Sequence, residues 1–313
     1  MTSEQGQTVK EDSTTTPEVI TRHTEGLFIY YHPDHKVTQR LKTILQTNLP
    51  NYLVAVVNEV PPAFSGLMFP AEIGVQTGDT IGTYNSGKQF ILSIIRTITN
   101  LDLSSYLPRF VPRSEQKVVL EGGNIIHVGG TNTLLLGLSE DDELRYLTEA
   151  GYTAYPIKKL DEGLGEFLNS SELPDNEIWV YGGPTSRKDP HAHIDLCLTG
   201  FSNLYDKGEI VFYMDDLLLK FLQEKNLLDP ILRNQIKGID HKLVLKGACN
   251  IKYIQSNGKH IAFVPSIETI GPIATDLRRF GYDIVELGED QVSQNAGIKC
   301  RSLDLKWRRN LVK

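Results

Sequence analysis

Short apolar runs separated by amphipathic stretches set the pattern of the chain from Gly26 onward. "GLFIYYH" and "YLVAVVNEV" read as strands, and "KVTQRLKTILQTNL" between them reads as an amphipathic helix. The alternation returns further on, where "TNTLLLGLS" leads to a helical stretch around Leu144 to Glu149 and then to "GYTAYPI". In the same way "GKHIAFVPS" leads to a helix around Ile273 to Arg279 and then to "GYDIVEL". In that second copy "IKYIQ" and "KHIAFVP" flank Ser256, Asn257 and Gly258, a hairpin signal because Asn-Gly accepts positive φ. The repeated unit is a hairpin, a helix and a third strand. A further copy is expected in "FSNLYDKGEIVFYMDD", the helix "LLLKFLQEKNLL" and the strand "KLVLK". Units of roughly 50 residues predict a cyclic or stacked α/β arrangement in place of one open sheet.

Met1 to Glu25 break this pattern. They are rich in Thr, Ser, Glu and Gln with almost no apolar content, so they read as a flexible tail before one domain spanning residues 26–313.

Composition narrows the class of partner. The chain has 313 residues, is 40% hydrophobic and carries a formal charge of -7, which fits an ordinary globular protein with a sizeable core. No stretch clusters Lys or Arg with aromatics, so nucleic acid is not expected. No apolar run approaches the roughly 18 residues of a membrane span, and the N-terminus lacks a signal-peptide apolar region. Cys197, Cys249 and Cys300 are odd in number and far apart, which suggests neither a disulfide framework nor a CxxC metal site. A reducing, cytoplasmic setting follows as the expectation. A homo-oligomer remains allowed.

Three places carry candidate chemistry. In "VVLEGGNIIHVGG", Val118 to Gly130, the pair Gly122 and Gly123 separates two apolar runs just where Glu121 appears, which lets backbone pass close to another group. In "NAGIKCRSLDL", Ala296 and Gly297 permit a tight approach to Cys300, and Lys299 and Arg301 favour its thiolate. In "DPHAHIDLCLTGF", strand alternation puts His193 and Asp195 on one face and Ile194 and Leu196 on the other. His191 extends that face, while Cys197, without flanking glycines, reads as core.

"LEGGN", "HID" and "AGIKC", in that order, resemble the guanidino-group-modifying enzymes of the pentein superfamily: arginine and agmatine deiminases, dimethylarginine dimethylaminohydrolases and amidinotransferases. "FPAEIGVQTGDTI", Phe69 to Ile81, is a weaker match to the segment holding the family's acidic motif. The resemblance implies an α/β fold, the five-bladed ββαβ propeller of the pentein fold, and a mechanism that needs no metal or organic cofactor. It implies that Cys300 attacks the guanidinium carbon of a cationic small-molecule substrate and forms a covalent amidino intermediate. His193 would then serve as acid and base. Glu121 completes the implied catalytic set, and Glu72, Asp195 and Asn124 the substrate-binding set.

A planar, forked, permanently charged guanidinium does call for several fixed carboxylates. The sequence departs from the family pattern in three ways. The family's Arg-Asp is Ala71-Glu72, the Asp after Glu-Gly-Gly is Asn124, and the Arg-rich stretch that grips a substrate carboxylate is "TYNSGKQF", leaving only Lys88. Arg109, Arg113 and Arg301 are candidates to compensate. The implied activity is hydrolysis of a guanidino compound such as arginine. An amidinotransferase is the alternative, since "HID" and Asp304 resemble that branch too, and a non-catalytic binding module is the third.

Overall fold

The computed structural model describes residues 17–59, 74–77, 79–83, 85–112, 122–137, 141–170, 173–174, 177, 193–206, 208–288 and 298–308. Strand β1 (Gly26–Tyr31) is followed by the helix His35–Asn48 and β2 (Tyr52–Val57). Next come β3 (Gly74–Thr77), β4 (Thr80–Thr83), the helix Asn85–Thr99 and β5 (Arg109–Pro112). The third unit is β6 (Ile125–His127), β7 (Thr133–Leu136), the helix Asp141–Glu149 and β8 (Thr153–Pro156). The fourth is β9 (Leu198–Ser202), β10 (Ile210–Asp215), the helix Asp216–Glu224 and β11 (Ile236–Ile239). The fifth is β12 (Lys252–Ser256), β13 (Lys259–Val264), the helix Pro272–Arg279 and β14 (Asp283–Glu286). The chain's last described strand, β15 (Ser302–Lys306), runs antiparallel to β1, so the first unit is completed from the far end of the sequence.

Each unit thus makes one antiparallel pair and, through its helix, one parallel pair. The expected closed five-bladed propeller is corrected by this pairing. The ladders form five separate three-stranded sheets, and none closes into a barrel or propeller. The physical reason is that each ladder ends after one antiparallel and one parallel partner, so every sheet keeps two edge strands and no backbone ladder joins one sheet to the next.

Local chemistry explains most boundaries. The hairpin between β12 and β13 turns at Asn257 (φ 51°) and Gly258 (φ 73°), both left-handed as Asn-Gly predicts. The expected strand "KLVLK" is instead helical, and β11 lies upstream of it. Asp240 decides this: its carboxylate accepts from the Lys242 backbone N–H at 2.8 Å and starts a turn that apolar content alone would have read as a strand. Asp215 caps the helix Asp216–Glu224 in the same way, accepting from Leu217 and Leu218 N–H at 2.9 and 3.3 Å.

The largest apolar cluster joins the third, fourth and fifth units, with Phe201, Phe212, Met214 and Phe280 almost wholly buried. Within the segment that composition assigns to the tail, Glu18–Arg22 form a short helix with Ile20 fully buried. The Trp307 indole N–H donates to the carbonyl of His23, which ties this segment to the end of β15. No described helix is long and apolar enough to cross a membrane.

Candidate active site

Cys300 sits in the turn 298–301 that leads into β15, so the β1–β15 pairing fixes its height against the sheet. It is 9% exposed and packs on Leu196. The carboxylate beside its sulfur is that of Asp195, whose Oδ2 lies 3.8 Å from Cys300 Sγ. Asp195 is itself only 2% exposed. Its Oδ2 also accepts from the Lys299 ammonium at 3.0 Å, and Lys299 Nζ donates a further bond to the Ile125 carbonyl at 2.6 Å. The other oxygen, Asp195 Oδ1, is buried and has no hydrogen-bond partner among the described residues.

One fully buried amide holds these pieces in register. Asn250 donates from Nδ2 to Cys300 Sγ at 3.5 Å and to the Asp195 carbonyl at 3.3 Å, while its Oδ1 accepts from the Lys299 backbone N–H at 2.7 Å. Leaving that amide unpaired in the interior would be costly, so its three contacts fix the Cys300 turn against the Asp195 segment. Sequence reasoning missed Asn250. The one signal was an Asn immediately before the apolar run of β12, in a place where a polar residue needs a partner.

The expected strand face shared by His193 and Asp195 is absent. Ile194–Leu196 form a single 3₁₀ turn with His193 at its N-terminal boundary, closed by the Leu196 N–H donating to the His193 carbonyl at 3.2 Å. Strand alternation does not apply to such a turn, which advances by about a third of a revolution per residue. Asp195 is therefore turned into the interior beside Cys300, and His193 meets a different neighbour.

That neighbour is Gly123. A Cβ built there would lie 2.4 Å from His193 Cγ and 2.5 Å from Nδ1, so the imidazole occupies the space that any other side chain would fill. Gly123 therefore does admit a close approach, and what approaches is a ring. Gly123 belongs to the 3₁₀ turn Gly122–Asn124, whose last residue, Asn124, is 6% exposed with its Oδ1 lacking a hydrogen-bond partner among the described residues. Gly123→Ala should displace the ring by an ångström or more. A rate loss of about 10²-fold with near-normal unfolding is the expected result, checked by turnover and circular dichroism.

Of the sequence-predicted residues, Cys300 and Asp195 are thus in contact, and His193 and Asn124 share the pair of 3₁₀ turns that pack on each other. Glu72, Glu121, His191 and Arg113 lie outside the described residues. Lys88 is exposed, 5.9 Å from the centre of the Phe110 ring, and Arg109 is exposed on β5. Arg301 is 2% exposed, so its side chain belongs to the interior. Cys197 and Cys249 are core residues, and burial pushes both thiols well above the ordinary range.

No protein-family model and no curated protein matches the sequence. Solved structures do match. The N-terminal domain of ArgZ, an arginine dihydrolase from cyanobacteria, seen in a substrate-bound mutant, is 14% identical over 89% of this chain and 97% of that one, with a TM-score of 0.47. The dimethylarginine dimethylaminohydrolase of Pseudomonas aeruginosa, bound to citrulline, is 12% identical over 90% and 99% of the two chains, with a TM-score of 0.49. AgrE in a ternary complex with ornithine and NAD+ is 15% identical over 89% of this chain and 39% of that one, with a TM-score of 0.49. The structures matched are guanidino-modifying enzymes of the pentein superfamily.

Proposed function

We propose that this protein hydrolyses the guanidino group of arginine or an arginine-like compound through a covalent intermediate on Cys300. The observation that carries the reading is the buried carboxylate of Asp195. One of its oxygens is committed to Lys299 beside the Cys300 sulfur, and the other lacks a donor among the described residues. A buried carboxylate oxygen without a donor is unfavourable, and a guanidinium N–H would fill it while setting the central carbon next to the thiol.

In this reading the Cys300 thiolate adds to the guanidinium carbon to give a tetrahedral adduct. His193 protonates the departing ammonia or amine, which leaves an amidino-thioether on the protein. His193, now neutral, takes a proton from a water that attacks the same carbon, and breakage of the C–S bond returns Cys300 and frees a ureido product. Asn250 stabilises sulfur-centred charge by its N–H contact, and Glu121, Glu72 and Asn124 are assigned the remaining polar contacts with the guanidinium. His193→Ala should lower the rate by at least about 10²-fold, the usual scale for a lost acid–base group, with a flattened pH profile.

The test is a panel of arginine, methylated arginines, agmatine and short guanidino acids, with ammonia, amine and ureido product followed together. Release from any member, lost in Cys300→Ser, supports the reading. Amidino transfer to an added amine without net hydrolysis would make the protein a transferase. Saturable binding without turnover would make it a binding module.

A further inference from the structure

Where the first, second, third and fifth sheets meet lies a cavity of about 530 Å³ whose lining includes neither Cys300 nor His193. Its size falls in the usual range for small-molecule sites. Five charged side chains line it, Glu25, Lys252, Lys299, Asp304 and Lys306, and of these Lys299 is already paired with Asp195.

Two of their oxygens stand out. Glu25 Oε2 and Asp304 Oδ1 are both buried, and neither has a hydrogen-bond partner among the described residues. Glu25 is otherwise held in place, its Oε1 accepting from the Asn257 backbone N–H at 2.7 Å and from Asn51 Nδ2 at 3.4 Å. Lys306 is steadied by the Tyr52 ring, 4.3 Å from its ammonium to the ring centre. Burial lifts the Asp304 carboxyl to about 6, and desolvation lowers the Lys306 ammonium, at the exposed rim, to about 8. Burial likewise lowers Lys252, and Asp304 opposes that effect through its charge. His127, on the same wall, is pushed down to about 4 and is neutral at physiological pH.

Apart from Lys299, which is held by Asp195, two ammonium groups and two carboxylates therefore face one space, and no ion pair at contact distance joins any of these four among the described residues. Buried charges are ordinarily paired. What completes this arrangement is a molecule that carries both signs: a cationic donor for the two unfilled carboxylate oxygens and an anionic acceptor for the two lysines. We propose that this cavity is a second binding site, for a small α-amino acid in its zwitterionic form, with the ammonium toward Glu25 and Asp304 and the carboxylate toward Lys252 and Lys306. Lys299 lines the same cavity while it holds Asp195, so this one side chain is shared between the cavity and the Cys300 site. The proposal does not depend on the guanidino reading.

Calorimetric titration of the full chain carrying Cys300→Ser, which removes turnover, tests it. The probes are L-alanine and L-glutamine, with ethylamine and propionate as partners lacking one of the two charges. The zwitterions should saturate at one site and bind at least tenfold more tightly than either single-charge analogue. Glu25→Gln and Asp304→Asn should each weaken L-alanine by about tenfold or more, and His193→Ala should leave it unchanged. Lys306→Gln, at the exposed rim, should weaken it as well, and tests the site where an interior change disturbs folding. Absence of saturable binding by both amino acids overturns the proposal. So does ethylamine or propionate binding as tightly as L-alanine, or L-alanine affinity unmoved by Glu25→Gln, Asp304→Asn and Lys306→Gln in folded protein. Because no probe has a guanidino group and no turnover is read, failure here leaves the Cys300 reading standing, and the substrate panel judges that reading separately.

Discussion

Cys300→Ser eliminates turnover of every guanidino compound that the unchanged protein processes, a loss of at least about 10³-fold, while thermal unfolding moves by no more than about 2–4 °C. The two effects separate because the substitution changes nucleophilicity far more than shape. A seryl oxygen at neutral pH needs a strong neighbouring base, and the group beside this sulfur is a carboxylate already engaged by Lys299. The same site predicts which thiol an electrophile finds. Cys197 and Cys249 are fully or almost fully buried, with burial raising both thiols, whereas Cys300 stands at the entrance to β15. 2-Chloroacetamidine should therefore modify Cys300, read by mass spectrometry of the digested protein. Modification of Cys197 or Cys249 with Cys300 spared would remove Cys300 from the mechanism.

What the sequence disclosed and what it hid follow from the range of each interaction. The hairpin at Asn257 and Gly258 was legible because φ preference is a property of the residues themselves. The strand–helix–strand order was legible for a similar reason, since apolar periodicity is local. The third strand of the fourth unit was not, because "KLVLK" satisfies a strand pattern until Asp240 caps it. The placement of Asp195 failed through its period. An alternation of two is right for β9 but not for the 3₁₀ turn before it, so the carboxylate faces Cys300 while the imidazole covers Gly123. Lys299, expected to favour the Cys300 thiolate, pairs with Asp195, a contact across more than a hundred residues that no local pattern announces. Asn250 was invisible on the same ground, because its role lies wholly in long-range contacts.

Asp195→Asn should weaken substrate binding by about 10- to 150-fold, the equivalent of one charge-assisted hydrogen bond of roughly 1.5–3 kcal/mol. The amide oxygen takes the place of Oδ2 against the Lys299 ammonium, so the amide nitrogen lands where Oδ1 was and presents hydrogens to a guanidinium that also carries only hydrogens. The same change costs stability, because Lys299, 19% exposed in its side chain, keeps the Ile125 carbonyl but loses its counter-charge. A structural role alone would explain that second effect, and the double variant Asp195→Asn with Lys299→Met separates the two. Removing the stranded ammonium should return the urea midpoint toward that of the starting protein while leaving substrate affinity low. Titration in the Cys300→Ser background reads affinity free of chemistry. If affinity recovers together with stability, Asp195 acts only by holding Lys299 and the turn at Cys300, and the guanidinium must find its carboxylate at Glu121 or Glu72. If stability recovers alone, the unfilled oxygen of Asp195 is the substrate's contact.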